Sequence, residues 1–173
     1  MCVSVDLNAN PVRGKSAINP SENKQLRILN ININNIKNKL EELCEVIYEI
    51  NPDVITIQET KRTKLCKNIR LYGYIITEKL AEDEANKNGL LIGYKKEWKS
   101  AVTINILDDF MIKISIKAKD QQNLNIINTY VPNNTDNREN TLKNIVKELR
   151  RGDNTVCIGD FKMPKQDLVK KSA

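Results

Sequence analysis

The stretch Asn51-Pro-Asp-Val-Ile-Thr-Ile-Gln-Glu-Thr60 decides how this chain folds. Its centre, Val54–Ile57, is a short run rich in β-branched residues and reads as a buried strand. Asn51-Pro52 stops any helix ahead of it, because a residue before proline avoids the helical region. Upstream, Ile36, Leu40, Leu43, Cys44 and Ile47 recur at helical spacing, and Asn34 or Asn35 can cap the start. The pattern predicts an amphipathic helix over 36–50. Further back, Leu26-Arg-Ile-Leu-Asn-Ile-Asn-Ile33 carries apolar residues on both faces, which suits a strand covered on both sides. Strand, helix and strand form a crossover unit that joins parallel strands.

Downstream the periodicity shortens. Tyr72–Thr77, Gly89–Tyr94, Ala101–Ile106, Phe110–Lys117 and Leu124–Tyr130 are successive strand candidates with polar connections. In 110–117, Phe110, Ile112, Ile114 and Ile116 share one face; Lys113, Ser115 and Lys117 take the other, which is expected to be solvated. Asp136 with Glu139 resembles a capping box for a helix whose stripe is Leu142, Ile145, Val146 and Leu149, with Gly152 placed for a C-terminal cap. Thr155–Ile158 is the last strand, ending in Gly159-Asp160. The order indicates a layered α/β domain. Leu26–Ile33, Val54–Ile57 and Thr155–Ile158 are expected to be neighbouring buried strands, with the 36–50 helix on one outer face. The domain is expected over 24–162. Residues 1–23, polar and aperiodic, read as a flexible tail, and 163–173 as a polar C-terminal tail.

A length of 173 residues suits one domain with a real core. The net charge of +6 permits a polyanionic partner without demonstrating one. Asn, Ile and Lys make up 66 of the 173 residues, a bias toward A/T-rich codons that lowers the weight of any single Asn or Lys. Histidine is absent, which excludes a His-based triad, a His zinc site and a histidine general base within this chain. Cys2, Cys44, Cys66 and Cys157 have no metal-binding spacing; Cys44 and Cys157 lie in apolar patterns and are expected to be buried. No apolar run approaches the ~18–20 residues of a membrane span, and the N-terminus lacks a signal-peptide core. The expectation is an intracellular protein without membrane association and with no evident protein partner.

Asn32 (with Asn34), Glu59, Tyr130 and Asp160 stand at the C-terminal ends of apolar strands, where ligand sites form in open α/β sheets. Taken singly, each has an ordinary explanation as a cap, a loop carboxylate, a packed aromatic or a turn. Together they offer two carboxylates and amide oxygens with no imidazole or thiolate, a hard oxygen set suited to Mg²⁺ or Mn²⁺. A hard cation there would serve phosphodiester or phosphate-ester hydrolysis.

These segments, with Asn128-Thr-Tyr-Val-Pro-Asn133 and Ile158-Gly-Asp-Phe161, resemble the endonuclease/exonuclease/phosphatase superfamily over residues 26–161. The similarity is greatest to endonuclease domains of non-LTR retrotransposons and their abasic-endonuclease relatives. The resemblance implies a DNase I-like four-layer α/β/β/α sandwich, here incomplete, with its C-terminal part missing. It implies Mg²⁺ (or Mn²⁺) as cofactor and DNA as partner. It matches Glu59 to the principal metal ligand and Asn32 to the asparagine beside the metal-bound phosphate. It matches Tyr130 to the tyrosine that hydrogen-bonds the scissile phosphate, and Asp160 to the aspartate that orients or deprotonates water. A retroelement enzyme of this kind would work in the nucleus.

Two departures stand out. Lys162 occupies the place where the family usually has asparagine after Gly-Asp-Phe. Lysine can pair with phosphate or with Asp160 but cannot ligate a cation. The family's terminal Ser-Asp-His-type element has no counterpart. Three functions stay open: a Mg²⁺-dependent phosphodiesterase or DNA endonuclease from a mobile element; a non-catalytic remnant with weak nucleic-acid binding; and a phosphatase on a lipid or nucleotide ester.

Overall fold

The computed structural model describes residues 2–5, 25–66, 68–81, 88–117, 123–151 and 154–162. The first sheet contains β1 (Cys2–Val5), β2 (Leu26–Asn32), β3 (Val54–Gln58), β4 (Tyr74–Lys79) and β5 (Leu90–Lys95), in spatial order β1-β2-β3-β5-β4. The second contains β6 (Val102–Asp108), β7 (Met111–Ile116), β8 (Leu124–Val131) and β9 (Asn154–Phe161), in chain order. β1 corrects the expected flexible tail at residues 2–5, which pair antiparallel with β2; the rest of 1–23, and 163–173, lie outside the described residues.

Three apolar clusters set the layers. Ile28, Val54, Ile92, Ile112, Ile114 and Ile126 fill the space between the sheets. On the outer face of the first sheet, Leu29, Ile55 and Ile57 pack against Leu43 and Ile47 of helix α1 (Leu40–Ile50). On the outer face of the second, Met111, Ile127 and Val131 meet Ile145 of helix α2 (Thr135–Leu149). The result is four layers, α/β/β/α, as expected. Every residue of β3 and β8 is buried because each strand has a layer on both sides.

Local chemistry explains the boundaries. Asn35 caps a 3-10 turn (Ile36–Asn38) that leads into α1, and Asn51 closes α1 in the left-handed region before Pro52. α2 is capped by Asn134, whose side chain accepts from the Asp136 and Asn137 amides, two positions earlier than a capping box at Asp136 would require.

Four other expectations need correction. Thr155–Ile158 lies in the second sheet, paired with β8, and not beside the first-sheet strands. The face carrying Lys113 is not open to solvent: α2 covers it, with Lys113 bonded to Glu148 at 2.8 Å. Val146 and Leu149 are partly exposed, and α2 buries Thr141, Ile145 and Glu148. Cys44 is exposed, one step round the helix from buried Leu43.

Candidate active site

Two parallel strand pairs bring the site together. β2 and β3 run parallel with Asn32 opposite Gln58, so Glu59 leaves β3 beside Asn32. β8 and β9 run parallel with Tyr130 opposite Asp160. Both pairs present their C-terminal ends at the same edge of the sandwich, the usual place for a ligand in open α/β sheets. The loops there are bound to each other by Ile33 N–H to the Gln58 carbonyl (3.1 Å), Asn35 to Glu59 (2.8 Å) and Ile36 to Thr60 (3.2 Å). Asn34, Asn35, Glu59 and Lys61 all have positive φ, from 45° to 84°. Asparagine tolerates that region; for Glu59 and Lys61 it is strained backbone, a feature that clusters at functional sites.

All four candidate residues converge. The Asn32 amide donates to Glu59 Oε1 at 3.0 Å and to Asp160 Oδ2 at 2.6 Å, bridging the carboxylates of the two sheets. Its oxygen accepts from the Asn34 N–H at 3.1 Å and so points away from the acidic pair. Asn34 also takes a bond from the Lys61 ammonium.

Lys162 lies at the centre. Its Nζ donates to Glu59 Oε1 at 2.5 Å and to the Tyr130 hydroxyl at 3.1 Å, and stands 3.6 Å from Asp160 Oδ2 and 4.8 Å from the Tyr130 ring centroid. Burial works to raise the Glu59 carboxyl, but hydrogen bonds from Lys162 and Asn32 and the charges of Lys162 and Lys61 hold it below its ordinary value. Burial likewise works to lower Lys162, and its bonds to Glu59 and Tyr130 outweigh it, so its proton is held more tightly than usual.

Behind this layer lies a polar clasp that the sequence reading missed. Gln58 donates to Asn30 (2.8 Å) and to Asn128 (2.6 Å); the Asn128 amide donates to the Ile57 (3.0 Å) and Leu91 (2.8 Å) carbonyls. The only signal available was an amide at a core-facing position in each of three strands. Beside Tyr130 a cavity of about 320 Å³ is lined by Lys79, Asn88, Phe110, Asn133 and Asn137 among others.

A hard divalent ion can be tested against this donor set. Two carboxylates and an amide suit it in kind. As held, however, the amide nitrogen faces the acids and the ammonium occupies Glu59 Oε1. Mg²⁺ bonds oxygen at about 2.0–2.1 Å. Bonded to that same oxygen, it would stand within about 5 Å of Nζ, a repulsion of several kcal/mol at an effective dielectric of about 20. The arrangement does not fit Mg²⁺ or Mn²⁺. Among the described residues no group of three or more His, Cys, Asp or Glu converges.

A four-layer sandwich with carboxylates, an amide and a tyrosine at the strand ends defines a phosphoesterase-type α/β domain. The profile of the Endonuclease/Exonuclease/phosphatase family matches residues 29–161, and the chain belongs to that family. Among solved structures, an AP endonuclease from Archaeoglobus fulgidus is similar at 21% identity and TM-score 0.56, covering 77% of this chain and 56% of that one. The endonuclease domain of TRAS1, a telomere-specific non-LTR retrotransposon, is similar at 10% identity and TM-score 0.55, covering 80% and 60%. A 3' phosphatase from Neisseria (NExo), bound to a product DNA hairpin, is similar at 15% identity and TM-score 0.59, covering 79% and 57%. The chain thus spans under two thirds of the solved chains it matches, and the shared fold is DNase I-like. No curated protein sequence matches it. None of the described helices is long and apolar enough to cross a membrane.

Proposed function

We propose that this chain is a nuclease-type domain of mobile-element lineage. It engages the phosphodiester backbone of DNA at Asn32, Glu59, Tyr130 and Asp160, and does not cut while Lys162 is bonded to Glu59. The observation that carries the reading is the convergence of these residues from both sheets through the Asn32 amide. Tyr130 accepts from Lys162, which leaves its own hydroxyl proton to donate to a phosphate oxygen. Lys162 and Lys61 supply positive charge beside it. Asp160, held by the Asn32 amide, is the carboxylate this reading assigns as general base toward water. The likeness to a DNA-bound phosphatase and to a retrotransposon endonuclease domain supports DNA as ligand and a mobile-element lineage.

The second reading is a Mg²⁺-dependent endonuclease, favoured by the paired carboxylates. The experiment is anisotropy with a short DNA duplex together with nicking of supercoiled plasmid in Mg²⁺, for wild type and Glu59→Ala. Salt-sensitive binding without nicking is expected. Nicking that disappears in Glu59→Ala would establish the endonuclease instead, and absence of DNA binding would overturn both.

A further inference from the structure

Three groups ordinarily compete for a pair of carboxylates: water, a metal ion, or a cationic side chain. Here the third is in place. Lys162 Nζ is bonded to Glu59 and to the Tyr130 hydroxyl, lies within ion-pair distance of Asp160, and rests over the Tyr130 ring. Asp160 is opposite Tyr130 in the β8–β9 ladder, and Lys162 follows the last residue of β9, which keeps its ammonium close to both. Its side chain is one-third exposed, whereas that of Glu59 is mostly covered, so the ammonium forms the solvent-facing lid of the acidic pair.

We infer that Lys162 is the resident cation of this site: its ammonium takes the place of a divalent metal between Glu59 and Asp160 and closes the site to Mg²⁺ and Mn²⁺. The inference deepens the functional reading above, naming what neutralises the carboxylates when a phosphodiester is bound. A lysine ammonium offers three donors and one positive charge. Two donors are directed to Glu59 and Tyr130. The third faces Asp160 Oδ2, 3.6 Å away, and on this inference is shared between that carboxylate and a phosphate oxygen arriving from the exposed side. The site therefore holds a phosphodiester with an organic cation and needs no added metal.

The test measures Mn²⁺ binding to the full chain by loss of the free-ion spin-resonance signal, in wild type, Lys162→Asn and Lys162→Asn/Glu59→Gln. Wild type is expected to show no saturable binding in the low-millimolar range. Lys162→Asn should bind at least about tenfold more tightly, and the double variant should lose that gain. Equal affinity in wild type and Lys162→Asn overturns the inference. A second measurement requires no variant: acylation of wild-type lysines, followed by peptide mapping. Lys162 should react more slowly than exposed Lys143, at a rate that Mg²⁺ leaves unchanged. Acceleration of Lys162 by Mg²⁺ would mean that the metal displaces it, and the inference falls. Absence of DNA binding would overturn the functional reading alone, with the Mn²⁺ result still deciding this one.

Discussion

Gln58 and Asn128 meet side chain to side chain between the two sheets, with Gln58 Nε2 donating to Asn128 Oδ1 at 2.6 Å and neither residue exposed. The contact joins β3, which carries Glu59 at its end, to β8, which carries Tyr130 and pairs with the strand of Asp160. Apolar packing between sheets is tolerant of sliding; a buried amide pair with fixed partners is not.

Asn128→Leu should therefore destabilise the fold by about 3 kcal/mol. It leaves the Ile57 and Leu91 carbonyls and one Gln58 donor without their partner, and each orphaned buried group costs about 1–3 kcal/mol. Urea unfolding followed by circular dichroism checks this. A loss under about 0.5 kcal/mol, the size of an ordinary surface substitution, would mean that the clasp is dispensable.

Gly159 has a steric reason to be glycine. A Cβ built there would lie 1.8 Å from the Thr129 carbonyl oxygen of the neighbouring strand. Gly159→Ala must push β9 away from β8 at the step just before Asp160, and is expected to cost at least about 3 kcal/mol, the upper end for overpacking. Thermal unfolding within about 2 °C of wild type would contradict this.

A layered α/β domain was legible because its signals are local: β-branched runs, the helical stripe of α1 and a capping asparagine ahead of it; the four-layer arrangement was implied by the family resemblance. Which sheet a strand joins was not local. The apolar pattern of Thr155–Ile158 states that the strand is covered, and is silent on whether β3 or β8 lies beside it. Lys113 misled for a related reason, since a charged residue on a strand face reads as solvated until a helix brings Glu148 to it. At the site, Glu59 and Asp160 were legible from their strand ends. Lys162 was legible as a departure, but its simultaneous reach to Glu59 and Tyr130 depends on the β8–β9 register, which no motif spells out.

The thiols should separate by reactivity. Cys66 is exposed, and a backbone hydrogen bond from Thr63 holds its pKa below the ordinary thiol value. Burial pushes Cys157 up to about 12. Because the thiolate is the nucleophile, iodoacetamide at neutral pH should modify Cys66 at least about tenfold faster than Cys157. Peptide mass spectrometry over time measures the ratio, and comparable rates would show that Cys157 is reached by solvent.

The Glu59–Lys162 pair should be insensitive to pH across the neutral range and fail only at its ends. Glu59 has a folded pKa below its ordinary value of 4.5, so the stability it contributes is fully present above 4.5 and is lost as pH falls through the lower folded value. Lys162 has a folded pKa raised above 10.5, so its contribution is present below 10.5 and is lost only as pH rises through the higher folded value. The stability difference between wild type and Lys162→Met should accordingly be flat between 4.5 and 10.5 and shrink outside that window. Partial exposure of the pair keeps the difference small, so the sharper readout is the Glu59 carboxyl itself, followed by carbon NMR. In wild type its midpoint should fall below 4.5, and in Lys162→Met it should rise, because the opposing effect of burial persists while the ammonium is gone. Asn32 still donates to Glu59 in that variant, so the rise should be partial, and Asn32→Ala added to Lys162→Met should carry it further. A Glu59 midpoint that stays in place when Lys162 is replaced would mean that the two groups are not joined in solution.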